Sequence, residues 1–364
     1  MITSLLRNEL WNSTLLIDKL SKSEYSDIIG QAESQTVLGL ICDALISNNV
    51  RLNQEDAYNT YGQLVSIQYQ NSEVNKELIN FVRELENEGI EYVVVKGQTM
   101  AAHYPNPTVR MAGDVDVYLP GENYDKAKSY IEKQTGEELA KYSDGKHVEF
   151  ARNDVIFELH DKLSQFSTQS HQAYFDQMMD EVIRKSNGSI MIDGCPVKTL
   201  PPTYNILYTF IHLFFHLTAQ GIGLRQFCDL AVLIGRTPVE EVNKAELEER
   251  LEALDLTKAF RAVGAVLVDH LGLPSEQFPL QITEKDHRWS EVILKNVMKR
   301  GNFGRNIRKV DDPGFLHSLE SGFLVVKQAF VFFQLAPAEV FGRFFSIGNW
   351  FFKRWFKNRN HLNQ

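Results

Sequence analysis

Three acidic residues carry the most chemistry in this 364-residue chain. Asp114 and Asp116 stand one residue apart in Gly113-Asp114-Val115-Asp116-Val117, and Glu158 lies in Val155-Ile156-Phe157-Glu158-Leu159-His160. In a strand, residues two apart project from one face. Asp114 and Asp116 therefore project together, while Val115, Val117 and Leu119 turn to a core. Two carboxylates held side by side repel unless a cation sits between them, and an all-oxygen site suits Mg²⁺. If the Glu158 strand lies beside the aspartate strand, Glu158 becomes a third ligand. Three carboxylates can hold two Mg²⁺ roughly 3.5–4 Å apart. Such ions activate an attacking hydroxyl and neutralise charge on a triphosphate and its leaving pyrophosphate. The plainer reading of an Asp-x-Asp pair is a solvated strand end or turn cap.

These side chains need strands to hold them in phase. Tyr92 to Val95 is a continuous apolar, β-branched run and reads as a buried strand. It runs into Lys96-Gly97, a glycine turn that lets phosphate oxygens approach backbone N–H groups or is a plain tight turn. A short helix follows, broken by Pro105 and Pro107. Met111 to Leu119 is expected as the aspartate strand, Asn123 to Lys133 as a helix, and 147–151 and 154–160 as two strands. Asp144-Gly145 reads as a hairpin turn, and a further hairpin is expected over 181–199. The order is that of an α/β core with a mixed sheet. Helices are expected before it, including Gln54 to Glu88, and after it over 203–218, 225–235, 244–254, 257–271 and 284–299. The expected domains are an N-terminal helical region 1–88, an α/β core 89–200, a C-terminal helical domain 201–336 and a basic aromatic tail 337–364.

The length and 43% hydrophobic content are enough for a sizeable core. A net charge of −9 gives no bulk electrostatic reason to expect nucleic acid as a partner. Cys42, Cys195 and Cys228 have no metal-type spacing and read as reduced cytoplasmic thiols. The N-terminus is charged too early for a secretory signal. The apolar stretch 322–336 falls short of the ~20 residues of a spanning helix.

Lys96-Gly97, Arg110-Met111-Ala112-Gly113-Asp114-Val115-Asp116-Val117 and Phe157-Glu158-Leu159-His160 together resemble the nucleotidyltransferase superfamily with the DNA polymerase beta-like fold. More narrowly they resemble the bacterial "uncharacterised nucleotidyltransferase" family. The resemblance covers residues 88–165 and extends weakly to His212, His216 and Leu224-Arg225-Gln226-Phe227-Cys228-Asp229-Leu230. It implies an α/β (α+β) nucleotidyltransferase core with a mixed sheet, flanked by N-terminal and C-terminal helical regions. It also implies a two-metal transfer of a nucleotidyl group from an NTP to a hydroxyl or phosphate acceptor of unknown identity, a small molecule, sugar or protein. On it, Asp114, Asp116 and Glu158 are the catalytic, metal-binding acids, the ions are two Mg²⁺ with Mn²⁺ as the alternative, and Gly97 lies at the triphosphate. The chain departs from the wider superfamily in two places. Gln98 follows the glycine where a serine is usual, and the third acid is Glu rather than Asp.

Other residues carry two readings each. Lys96 meets a phosphate as a point charge or is a strand-end lysine in water. Arg110 contacts triphosphate or pairs with one carboxylate. His160 orients the acceptor or acts as a base, or is a hydrogen-bonded strand histidine; His147 is a weaker candidate. His212 and His216, four apart on a helix, share a face and read as a packed pair lining a cleft or as a zinc pair. Arg225 and Asp229 read as an intrahelical ion pair, or Arg225 as a nucleotide contact across a cleft. From Val340 to Gln364 there is no acidic residue, and aromatic residues alternate with Arg and Lys. This tail is a candidate for peripheral membrane contact or a packed C-terminal helix. The alternative to the enzyme is a non-catalytic nucleotide-binding or adaptor protein, possible at a membrane surface.

Overall fold

The fold is that of a computed structural model, which describes residues 1–140, 147–185, 188–219, 221–307 and 315–342. Four helices precede the sheet: α1 (Ile2–Trp11), α2 (Lys22–Ser34), α3 (Leu38–Ser47) and the long α4 (Gln54–Asn87). Asn53 caps α4 by accepting from the Asp56 backbone N–H. The sheet region contains β1 (Val93–Val95), α5 (Gly97–Ala101), β2 (Val115–Tyr118), α6 (Asn123–Thr135), β3 (His147–Arg152) and β4 (Val155–His160). Next come α7 (Gln169–Lys185) and a separate hairpin of β5 (Gly188–Ile192) and β6 (Cys195–Thr199). The remaining named helices are α8 (Pro202–Thr218), α9 (Leu224–Arg236), α10 (Lys244–Ala253), α11 (Thr257–Leu271), α12 (Glu284–Arg300) and α13 (Phe315–Phe332).

The main sheet has the order β1-β2-β4-β3. Strand β2 runs antiparallel to β1 and parallel to β4, while β3 and β4 form an antiparallel pair. A mixed α/β core flanked by helices is thus the fold class.

Each face of the sheet packs on helices, for a reason visible in the alternation. Val115, Val117, Phe157, Leu159, Val148 and Phe150 point to one side and share a core with α4 and α6. Phe81 of α4 sits edge-on to Phe150 and Phe157, at centroid distances of 5.3 and 5.0 Å. Aromatic pairs favour that arrangement. Val93, Val95 and Tyr118 belong instead to the larger core, with Met100, Phe175, Met178 and Tyr208. That core also joins helices from both ends of the chain: Leu5, Leu6 and Leu10 of α1 share it with Phe260, Val263 and Leu267 of α11.

Three local expectations are corrected. The ladder of the aspartate strand begins at Val115, not Met111. The partners in β1 and β4 register only with Val115 to Tyr118, and the Met111 carbonyl is bonded by Arg225 instead. The hairpin expected over 181–199 is confined to 188–199, because 169–185 forms α7. Phe175, Met178, Met179, Val182 and Ile183 bury one face of that helix, so helical period prevails over the turn signals downstream. The Arg225–Asp229 pair is replaced by a pair between Arg110 and Asp229. The expected Asp144-Gly145 turn and the tail from 343 onward lie outside the described residues. Among the described residues, no helix is long and apolar enough to cross a membrane.

Candidate active site

The charged side chains gather where β1, β2, β4 and β3 present one face. Parallel pairing puts Asp116 directly opposite Glu158, and Tyr118 opposite His160. Antiparallel pairing puts His147 opposite His160 and Glu149 opposite Glu158. Asp114 sits one residue ahead of β2, on the exposed lip. Carboxylate oxygens of Asp114, Asp116 and Glu158 lie within 4.8 Å of one another.

Lys96 reaches this cluster from the end of β1. Its Nζ is 2.5 Å from Asp116 Oδ1, and His160 Nε2 lies 2.9 Å from the same oxygen. His160 Nε2 is also 3.1 Å from Glu158 Oε2. The Lys96 backbone, at φ 59° and ψ −150°, lies at the edge of a region that strongly favours glycine. Gly97 follows at φ +45°. A strained two-residue turn therefore aims the ammonium at Asp116.

The environment separates the protonation behaviour of the three acids. For Asp116, burial opposes ionisation, but the charge of Lys96 and the hydrogen bond with His160 outweigh it and hold the carboxyl below the usual carboxylate range. Burial also opposes ionisation of Glu158, and His160 again tips the balance downward. Asp114 moves the other way. Burial of its carboxyl, then the charges of Asp116 and Glu158 and a hydrogen bond with Glu158, push it up to about 7. The residue as a whole is exposed, so charge repulsion is the cause that persists when water enters. Lys96 is raised: burial lowers it, and Asp116 more than compensates. His160 is raised in the same manner, against burial, by Asp116 and Glu158.

With all three acids ionised, the cluster carries one more negative charge than Lys96 and His160 neutralise, and Asp114 takes up a proton near neutrality in place of a cation. The all-oxygen donor set fits a hard divalent cation that displaces that proton. Asp114, Asp116 and Glu158 are the residues that could hold it.

The remaining sequence candidates lie around this centre. Gln98 is 4% exposed, and its amide nitrogen donates to Asn71 and Asn75 of α4. Arg110 is buried and bidentate on Asp229, Nε to Oδ1 at 2.7 Å and Nη2 to Oδ2 at 2.9 Å. Tyr104 donates to the same carboxylate at 2.7 Å. Arg225 Nη1 donates to the Met111 carbonyl at 2.9 Å, and its guanidinium lies 3.8 Å from where a Cβ on Gly113 would stand. Burial first, then Arg110, lowers its pKa. Arg225 thus stands beside the residue preceding Asp114, while Arg110 and Gln98 face other polar partners.

Two participants escaped the sequence reading. Tyr208 of α8 is buried, and burial, then the charges of Lys96, Asp116 and Glu158, leave its hydroxyl at about 12. Tyr208, His212 and His216 recur every four residues, so one helix face brings all three together. The His212 and His216 rings are 4.5 Å apart. Burial and then Lys96 hold His212 well below its ordinary value. Glu149 is the second, and its alternation with His147 was the available signal.

The sequence profile of the family described as "Uncharacterised nucleotidyltransferase" matches residues 21–272, more than half of the chain. The chain belongs to the uncharacterised nucleotidyltransferase family. Its matched span contains every element that positions the acids, from α2 to α11. Among solved structures, the chain is similar to an antigenic nucleotidyltransferase-like protein from Paracoccidioides brasiliensis, with 16% identity and a TM-score of 0.34. That similarity covers 56% of this chain and 93% of the other. Comparison with curated proteins finds no match.

Proposed function

We propose that this member of the nucleotidyltransferase family moves a nucleotidyl group from an NTP to a hydroxyl or phosphate acceptor. The bond from the α-phosphorus to the pyrophosphate breaks as the bond to the acceptor oxygen forms. The observation that carries the reading is the parallel register of Asp116 with Glu158, which brings their oxygens and those of Asp114 within 4.8 Å.

Asp114, Asp116 and Glu158 would hold two divalent ions, Mg²⁺ or in its place Mn²⁺. Bound there, the ions supply the charge that neutralises the triphosphate and the leaving pyrophosphate. The other roles belong to the chain itself. Lys96 and His160 fix the rotamer of Asp116 through a shared oxygen. Arg225 offers a guanidinium beside Gly113, where no side chain blocks approach to Asp114, which suits a phosphate. His160 is placed to orient the acceptor, since its Nε2, shared by two carboxylates, holds its proton rather than taking one. Arg110 acts at one remove, because its grip on Asp229 ties α9, which carries Arg225, to the segment entering β2.

The test is NTP binding by calorimetry with Mg²⁺, coupled to pyrophosphate release across a panel of acceptors, for wild type, Asp116→Asn and Glu158→Gln. We expect metal-dependent binding and turnover in wild type alone. Equal affinity and equal metal dependence in all three would sink the proposal. A second reading, a non-catalytic nucleotide-binding or adaptor protein, is favoured by Gln98, whose side chain is engaged in a buried amide network rather than available to a phosphate. Nucleotide binding without pyrophosphate release would select it.

A further inference from the structure

The β3–β4 hairpin holds a second donor set beside the three acids. On its charged face, His147 stands opposite His160 and Glu149 opposite Glu158, so two cross-strand pairs form a square of two imidazoles and two carboxylates. His147 Nε2 lies 3.7 Å from Glu158 Oε1 and 3.1 Å from Glu149 Oε1. His160 Nε2 lies 3.1 Å from Glu158 Oε2. Ligand atoms of His147, Glu158 and His160 all come within 4.8 Å of one another. Their side chains are 12, 16 and 14% exposed, covered enough to be ordered and open enough to be reached.

The spacing suits a small ion of a particular chemistry. Zn–N and Zn–O bonds of about 2.0–2.2 Å in a tetrahedron place neighbouring donors about 3.3 Å apart. The separations of 3.1 Å from His160 to one Glu158 oxygen and 3.7 Å from His147 to the other bracket that value. Imidazole nitrogen favours Zn²⁺ and its first-row neighbours over Mg²⁺, which takes oxygen. Paired strands also hold donors more rigidly than a loop does.

We propose that His147, Glu158 and His160, with Glu149 at the rim, bind one Zn²⁺-class ion at a site that overlaps the all-carboxylate triad at one residue. The two sites share Glu158. A Zn²⁺ ion drawing on Glu158 and His160 withdraws one carboxylate from the triad and the imidazole from Asp116. The second site therefore opposes hard-metal binding at the first. Only this antagonism rests on the function proposed above; the site itself does not.

The experiment uses the full chain without a histidine tag and with no nucleotide present. Zn²⁺ affinity is measured by equilibrium dialysis, and coordination by visible absorption of the Co²⁺ form, for wild type, His147→Ala and Asp114→Asn. One ion per chain in wild type, binding at least tenfold weaker in His147→Ala and unchanged in Asp114→Asn, with the intense visible bands of tetrahedral Co²⁺, is the expected result. No binding, equal binding in His147→Ala, or loss in Asp114→Asn equal to that in His147→Ala would overturn the site. If His147→Ala does not fold, proton NMR of the wild-type Co²⁺ form decides. Two paramagnetically shifted exchangeable imidazole protons support the site, and fewer overturn it. Failure of nucleotidyl transfer appears instead in turnover with Mg²⁺ alone, so the two failures are distinguishable.

Discussion

Lys96 Nζ lies 2.5 Å from Asp116 Oδ1, and Lys96 makes this contact from a backbone conformation that favours glycine. The strain and the ion pair occur in one residue, so substitutions can separate them. Lys96→Ala leaves Asp116 buried without its main cation and keeps the strain. Removing one partner of a buried pair costs about 3–5 kcal/mol, and Lys96, being 19% exposed, belongs at the lower end. Lys96→Gly loses the same cation but relaxes the turn, and is expected to be more stable than Lys96→Ala by about 1 kcal/mol. Urea unfolding of the two variants and wild type measures both terms. Equal stability of the Ala and Gly variants would refute the strain.

Asp114 sets a pH dependence of opposite sign to the usual carboxylate. Its folded value of about 7 lies above the ordinary aspartate value of 3.8. Between those values the folded state holds a proton that the unfolded state has lost, so this group's stabilisation declines as pH rises through that window. Asp114→Asn, which cannot ionise, is expected to gain in stability relative to wild type as pH goes from 4 to 8. Thermal melting of both proteins across that range checks the sign. A gap that narrows with rising pH contradicts it.

Divalent metal removal should show the same electrostatics. At a free Mg²⁺ concentration one hundred times its Kd, binding to the folded state contributes about 2.7 kcal/mol. For a chain of this length that corresponds to a Tm rise of about 3–5 °C. Chelator should abolish the rise in wild type at pH 8, and Glu158→Gln should lack it. Differential scanning calorimetry with and without Mg²⁺ gives the answer.

The Arg110–Asp229 pair is a structural prediction independent of catalysis. Both side chains are about 5% exposed, and Tyr104 shares the carboxylate. Arg110→Ala is expected to cost about 3–5 kcal/mol. Arg110→Lys should cost on the order of 2 kcal/mol, because an ammonium cannot reproduce the bidentate fork. A double-mutant cycle with Asp229→Asn should return a coupling of at least about 1 kcal/mol. Additive effects would show that the pair does not act as a unit.

Much of this molecule was legible from local pattern. Strands β3 and β4 and helices α4, α8, α9, α10, α11 and α12 follow from alternation or helical period, since those patterns state which face of an element is apolar. The two-residue phase of Asp114 and Asp116 and the alternation around Glu158 are local in the same sense. Helix α7 was lost because its amphipathic face lies beside a run of turn residues that reads equally well as a hairpin. The expected Arg225–Asp229 pair fails for a different reason: Asp229 pairs with Arg110. Asp229 is 119 residues away, and only packing of α9 against the segment before β2 brings it within reach.

The sequence by itself determined which residues are acidic and in phase along or just ahead of a strand, because side-chain direction in extended backbone is set by local geometry alone. Tertiary structure decided which strand lies beside which. It put Glu158 opposite Asp116, set Lys96 on Asp116, and turned Glu149 and His147 into neighbours of the same cluster. Strand order and register come from the fit of one apolar face to α4 and α6, which leaves the charged side chains together on the other. That fit sums contacts distant in the chain, and no local window of sequence contains it.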